Sequence, residues 1–148
     1  MPERETLERA REDKREGKSP STQAGEFVRE EMHHIREGKH GARSAKQAIA
    51  IGLSKARRAG VKLPPPKNGK AATRKQASRD YAKGRIAAGK PPSARRSRAT
   101  LKALRREGHS AASHSALARQ ARSSARRRSA GQRSAAAKKA AHTREIMK

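Results

Sequence analysis

The chain has 148 residues, a formal net charge of +26 and no cysteine. Leu, Ile, Val and Phe together supply 14 of those residues, well below the ~20 % at which a highly charged chain is expected to be disordered. Disulfides, thiolate metal sites and cysteine nucleophiles are excluded, and so little apolar surface is not expected to offset the entropy of ordering a full-sized domain.

No apolar run approaches the ~18 residues that span a bilayer, so no membrane span is expected. The start, MPERETLERA, lacks the apolar segment of a secretory signal. These features lead to the expectation of a cytoplasmic protein. Residues 1–31 hold nine acids against seven bases, whereas residues 32–148 hold four acids against 32 bases. A mixed-charge head thus precedes a long polycation, and the commonest partner of a polycation is nucleic acid.

Residues 1–18 read as a charged helix or a disordered arm. Pro2 suits a first turn, Glu5 and Arg9 form a favourable i,i+4 pair, and Leu7 is the only large apolar side chain. Residues 22–60 read as a helical hairpin. In its first arm Ala24, Phe27, Val28, Met32 and Ile35 recur at spacings of three and four, and Gly38 suits the C′ position. In the second arm Ser44 and Gln47 have capping-box spacing, and Ala45, Ala48, Ile49, Gly52, Leu53 and Ala56 form an apolar face. Gly60 and the prolines 64–66 stop that helix. The expected hairpin core is Phe27, Val28, Met32, Ile35, Ala48, Ile49, Leu53 and Ala56. About 40 residues is near the lower limit for independent folding, so self-association or bound polyanion is expected to support the hairpin.

Residues 61–72 read as a Pro-rich linker. Residues 73–148 read as a disordered, helix-prone polycationic tail. Helix-permissive segments surround Tyr81 and Ile86, run from Ser93 to Gly108 and from Ser113 to Ala130, and close the chain. Gly89 to Pro92 breaks the series. Alanine favours helix in these segments, but they carry few side chains to bury. The expected fold class is therefore all-α, a small helical hairpin with a largely disordered, helix-prone basic tail. Matches at an offset of 70, such as REG at 36–38 and 106–108 and Arg57-Arg58 with Arg127-Arg128, form a faint internal repeat of a kind that chance readily produces in an alanine- and arginine-rich chain.

The string KQAIAIGLSKARRAG, Lys46 to Gly60, with the preceding EEMHHIREGKHGARS, resembles a family of short, basic bacterial proteins classed as a domain of unknown function. Its members share a KQAIAIGLSxARxAG signature, and the resemblance covers about residues 29–63. RRSRATLKALRREG is similar to a tail segment of some members. Ile35-Arg36 departs from the more basic or aromatic pair expected there. The resemblance implies a bacterial, cytoplasmic or nucleoid setting and brings no activity with it.

No catalytic or metal site stands out. His33, His34 and His40 are close in sequence, but adjacent helical positions diverge by ~100°, and they read as surface histidines with no metal between them. Ser113-His114-Ser115 with Asp80 lacks the rigid scaffold a triad needs. NGKAAT, Asn68 to Thr73, lacks the spacing of a phosphate loop. An enzyme is not expected, and no cofactor is implied.

The basic residues carry the functional reading. Lys46, Lys55, Arg57, Arg58, Arg95, Arg96, Arg98, Arg105, Arg106, Arg119, Arg122, Arg126, Arg127, Arg128, Arg133, Lys138 and Lys139 are the candidate phosphate contacts. Only Phe27 and Tyr81 are aromatic, which disfavours base stacking on single strands. The expectation is a histone-like, nucleoid-associated protein that binds duplex DNA in preference to RNA, without sequence readout. The alternatives are an RNA-binding or ribosome-associated protein, and a protein-interaction module tethered by its tail.

Overall fold

The computed structural model describes residues 1–86 and 93–147. Among them seven α-helices form: α1 Arg4–Arg15, α2 Pro20–Arg36, α3 Ala45–Arg58, α4 Ala71–Gly84, α5 Ala94–Arg105, α6 His114–Arg126 and α7 Ala130–Ile146. A short 3-10 turn, Ser110–Ala112, precedes α6. No helix among the described residues is long and apolar enough to cross a membrane.

Helices α2 and α3 form the expected antiparallel pair, with terminal signals that act locally. Gly38 and Gly60 follow their C-terminal turns at φ +76° and +96°, values that cost glycine nothing. Ser44 Oγ accepts the Gln47 N–H at 3.2 Å. The Gln47 side chain reaches back one residue further than a capping box requires, to the Arg43 N–H at 2.7 Å. The two helices approach closely at Gly52. A Cβ there would lie 2.7 Å from Val28 Cα, so only a hydrogen fits.

The core has two centres. In one, Met32, Ile35, Ala42 and Ala48 bury Ala111 and Ala112, with Val28, Ile49 and Leu117 packed at the margin. In the other, Phe27, Ala24, Ala56 and Val61 bury Ala10, with Leu7, Leu53 and Leu63 alongside. The hairpin stripe is therefore covered on one side by α1 and on the other by the segment before α6. Val61 and Leu63, within the expected linker, are part of this packing.

A disordered tail is not what the structure holds. All described residues from Ala71 onward, apart from short connections, are helical. Composition misled because it counted large apolar residues, whereas Ala111 and Ala112 reach the core as alanines. Local signals add to this. Ser113 caps α6 by accepting the Ala116 N–H, and Ser129 and Gln132 form a reciprocal capping box at α7. Backbone pairs fix the end of α5: Gly41 N–H donates to the Leu104 carbonyl at 2.9 Å and Ala42 N–H to the Gly108 carbonyl at 3.1 Å. Arg36 Nε donates to the Ala112 carbonyl at 2.9 Å.

Helix α1 is likewise more than a solvated arm. It packs on α2 and buries Thr6, Ala10 and Asp13. Arg9 pairs with Glu26 at 2.7 Å, and that hydrogen bond holds its guanidinium above the usual arginine range. The break expected at Gly89 to Pro92 lies outside the described residues.

The helix ends refine the suggested repeat. Helices α2 and α5 end at Arg36 and Arg105, and α3 and α6 are capped by Ser44 and Ser113. Each of these pairs is 69 residues apart, one fewer than the REG match.

Two stability outcomes follow from this packing. Gly52→Ala should lower stability by about 1–3 kcal/mol, the usual result of overpacking, and thermal unfolding of the full chain measures it. Ala112→Asp should lower it by ~2 kcal/mol or more, because a carboxylate would enter a fully buried position. An unchanged midpoint for Ala112→Asp would mean that the segment before α6 does not dock.

Candidate nucleic-acid interface

Charge is segregated along the bundle. The acids concentrate on α1 and α2, where Glu3, Glu5, Glu30 and Glu37 line one shallow pocket with Arg9, Arg29 and Lys39. Helix α6 carries Arg119, Arg122 and Arg126 at spacings of three and four, so they share a helix face. With Ser123 and Arg127 they line an open concavity. A second concavity adjoins it through Arg119 and Ser123 and is lined by Arg43, Ser44 and Lys46 at the start of α3. Neither concavity has an Asp or Glu in its lining. The partial positive charge of the α3 N-terminus lies at the end of this basic strip.

Most of the sequence-derived cations are exposed around this strip or beyond it. Lys46, Arg58, Arg95, Arg96, Arg98, Arg105, Arg106, Arg119, Arg122, Arg126, Arg127, Arg128, Arg133, Lys138 and Lys139 all face solvent. Those on α5 and α7 lie on helices with no buried residue. Arg43 escaped the sequence reading, although its place just before a capped helix start is a legible anion-binding signal.

Two of the expected contacts are used inside the fold. Arg57 is buried; its Nε donates to the Leu63 carbonyl at 3.1 Å and its Nη2 to the Pro64 carbonyl at 3.4 Å. Burial pushes its guanidinium below the usual arginine range. Lys55 turns inward to Glu31, in direct contact, and to Glu30 at 3.6 Å. Neither is free to neutralise a phosphate.

The polar groups weighed as a possible triad have structural roles or none in common. Asp80 is buried, accepts from Ser54 Oγ at 2.5 Å and from Gln76 Nε2 at 3.1 Å, and so fastens α4 to α3. Ser113 acts as a helix cap. Nothing described here assembles a Ser-His-Asp arrangement from them. The histidines differ from the surface reading. His33 is exposed, but His40 is buried and His34 is half-buried, and both face Glu31.

Phe27 is buried in the core, and Tyr81 is half-buried with the Arg85 guanidinium 6.0 Å from its ring centroid. The described surface therefore offers no row of exposed aromatic rings.

Residues 17–68, a little over a third of the chain, match a family of unknown function (DUF6496). No curated protein and no solved structure matches the chain. The family match spans α2, α3 and the connection that follows, which is the central pair of the bundle.

The structural role of Lys55 has a measurable consequence. Lys55→Met should destabilise the fold by about 3–5 kcal/mol, because it strands buried carboxylates without their cation. Arg122→Ala should leave stability within ~0.5 kcal/mol. Denaturant unfolding of both variants checks the contrast.

Proposed function

We propose that this protein binds duplex nucleic acid, DNA before RNA, through phosphate contacts made by a folded helical surface. The observation that carries this reading is the continuous strip formed by Arg43, Lys46, Arg119, Arg122, Arg126 and Arg127, with no carboxylate in its lining. Each cation on it can neutralise a phosphate and release a condensed counterion. The exposed cations of α5 and α7 extend the same field over the rest of that half of the chain. A single positive field of this kind speeds encounter with a polyanion and does not discriminate between sequences.

The preference for a duplex rests on the aromatic residues. With Phe27 in the core and Tyr81 partly covered, bases have no stacking platform. A bacterial nucleoid-associated, histone-like role is the biological setting this proposal favours. It accounts for the charge without requiring a catalytic centre.

Binding should fall steeply with salt, at about −0.9 in log–log slope per phosphate contacted on B-DNA. Replacing Arg119, Arg122 and Arg126 together by Ala should make that slope shallower by roughly three and weaken unrelated duplexes alike. Fluorescence anisotropy across a salt series measures both. An unchanged slope would remove the α6 strip from the interface. A competition titration at matched charge separates the two nucleic acids: if structured RNA wins by more than about tenfold, ~1.4 kcal/mol, the DNA assignment fails.

A further inference from the structure

Glu31, His34 and His40 converge, each offering one ligand atom, with all of these atoms within 4.8 Å of one another. Glu31 and Glu30 are fully or almost fully buried. Each keeps one carboxylate oxygen, Glu31 Oε2 and Glu30 Oε1, without a hydrogen-bond partner. Their nearest nitrogens are His40 Nε2, 3.2 Å from Glu31 Oε2, and Lys55 Nζ, 3.6 Å from Glu30 Oε1, and a buried carboxylate oxygen without a hydrogen bond calls for an explanation.

The hydrogen bonds of the two histidines supply one. His40 Nδ1 lies 3.0 Å from the Gly41 carbonyl oxygen. A carbonyl can only accept, so Nδ1 carries the proton, and Nε2 is the nitrogen turned toward Glu31. That Nε2 faces Glu31 Oε2 at 3.2 Å. His34 Nε2 lies 2.9 Å from Glu3 Oε1, again an acceptor, which leaves Nδ1 toward Glu31 Oε1 at 3.9 Å. Two imidazole nitrogens and a carboxylate thus lie together, each ring oriented from behind by an oxygen. Metal-ligating histidines are held in this way. The acceptor behind His40 is itself fixed, because Gly41 N–H donates to the Leu104 carbonyl.

We propose that Glu31, His34 and His40 form a binding site for a divalent transition-metal ion, best matched by Zn²⁺. Imidazole and carboxylate at four-coordinate spacing suit zinc. At metal–ligand distances of ~2.0–2.1 Å the donor atoms stand ~3.3 Å apart, so a bound ion would draw these atoms, now within 4.8 Å, closer together. The three ligands leave a fourth position for water. Lys55 stays on Glu31 Oε1, and Glu3 is a positioning residue behind His34. Helix α2 supplies Glu31 and His34, and the connection to α3 supplies His40. The ion would fix that connection to α2 independently of any nucleic acid.

The test is calorimetric titration of ZnCl₂ into chelator-stripped full-length protein in a non-coordinating buffer. The expected result is saturable uptake of one ion per chain and a raised unfolding temperature. Cobalt(II) in its place should give the visible absorption of a tetrahedral site. His40→Gln and His34→Gln should each abolish this uptake, whereas His33→Gln and His114→Gln should not change it. Glu3→Gln should weaken it by about 10–100-fold. That side chain is half-exposed, so the variant carries the test if a ligand variant fails to fold. Absence of saturable uptake overturns the proposal. So does uptake that survives His34→Gln and His40→Gln, or that is indifferent to Glu3→Gln.

Discussion

Two consecutive carboxylates, Glu30 and Glu31, sit inside a chain whose net charge is +26. Neighbouring residues on a helix point ~100° apart, so a buried pair must be covered from more than one direction. The fold supplies that cover from four places. Lys55 comes from α3, His40 from the connection between α2 and α3, and His34 from α2 itself. The Glu3 N–H before α1 donates to Glu30 Oε2 at 3.1 Å. Removing Lys55 in particular leaves charge in a medium where it is poorly screened. The pair therefore dictates where α1 docks and how α3 is turned against α2. It also withdraws acidic charge from the surface.

What surrounds the carboxylates is built from small residues. Ala24, Ala48, Ala56 and Ala112 are completely buried, and Gly52 lets α2 and α3 touch backbone to side chain. Short side chains allow helices to approach closely, so that backbone atoms contribute the dispersion contacts that leucines provide elsewhere. They also lose almost no rotamer entropy on burial. This explains how a chain poor in large apolar residues can pack helices at all, and why counting Leu, Ile, Val and Phe undervalued it.

The parts of this architecture that depend on neighbouring residues were legible in the sequence. The stripe Phe27, Val28, Met32, Ile35, the Ser44 cap and the Gly38 and Gly60 stops report on single helices and their ends, and the helices form there. What depends on distant residues was not. Nothing in SAASHSALA marks Ala111 and Ala112 as core, because their partners Met32 and Ile35 are over 70 residues away. Lys55 and Arg57 look like their neighbours in a basic run, yet one faces a buried carboxylate and the other braces the carbonyls of Leu63 and Pro64. Of three nearby histidines, the register of α2 turns His34 inward and His33 outward. That distinction needs the position of Glu31 and His40 as well as the helix period.

Helix α7 buries no residue over its 17 positions, a length of ~25 Å, and lacks the ties that hold α5 through backbone bonds from Gly41 and Ala42 and α6 through Leu117. Its order comes from alanine propensity and its Ser129–Gln132 cap, both local. An isolated helix of this length is marginal in water and relaxes to coil and back within about a microsecond. Its amides should therefore exchange with solvent at a small opening free energy, while those of α2 wait for global unfolding. The molecule thus has two stability tiers separated by the short connection at residues 127–129. Proteolytic trimming of the outer tier would leave the carboxylate-centred bundle intact.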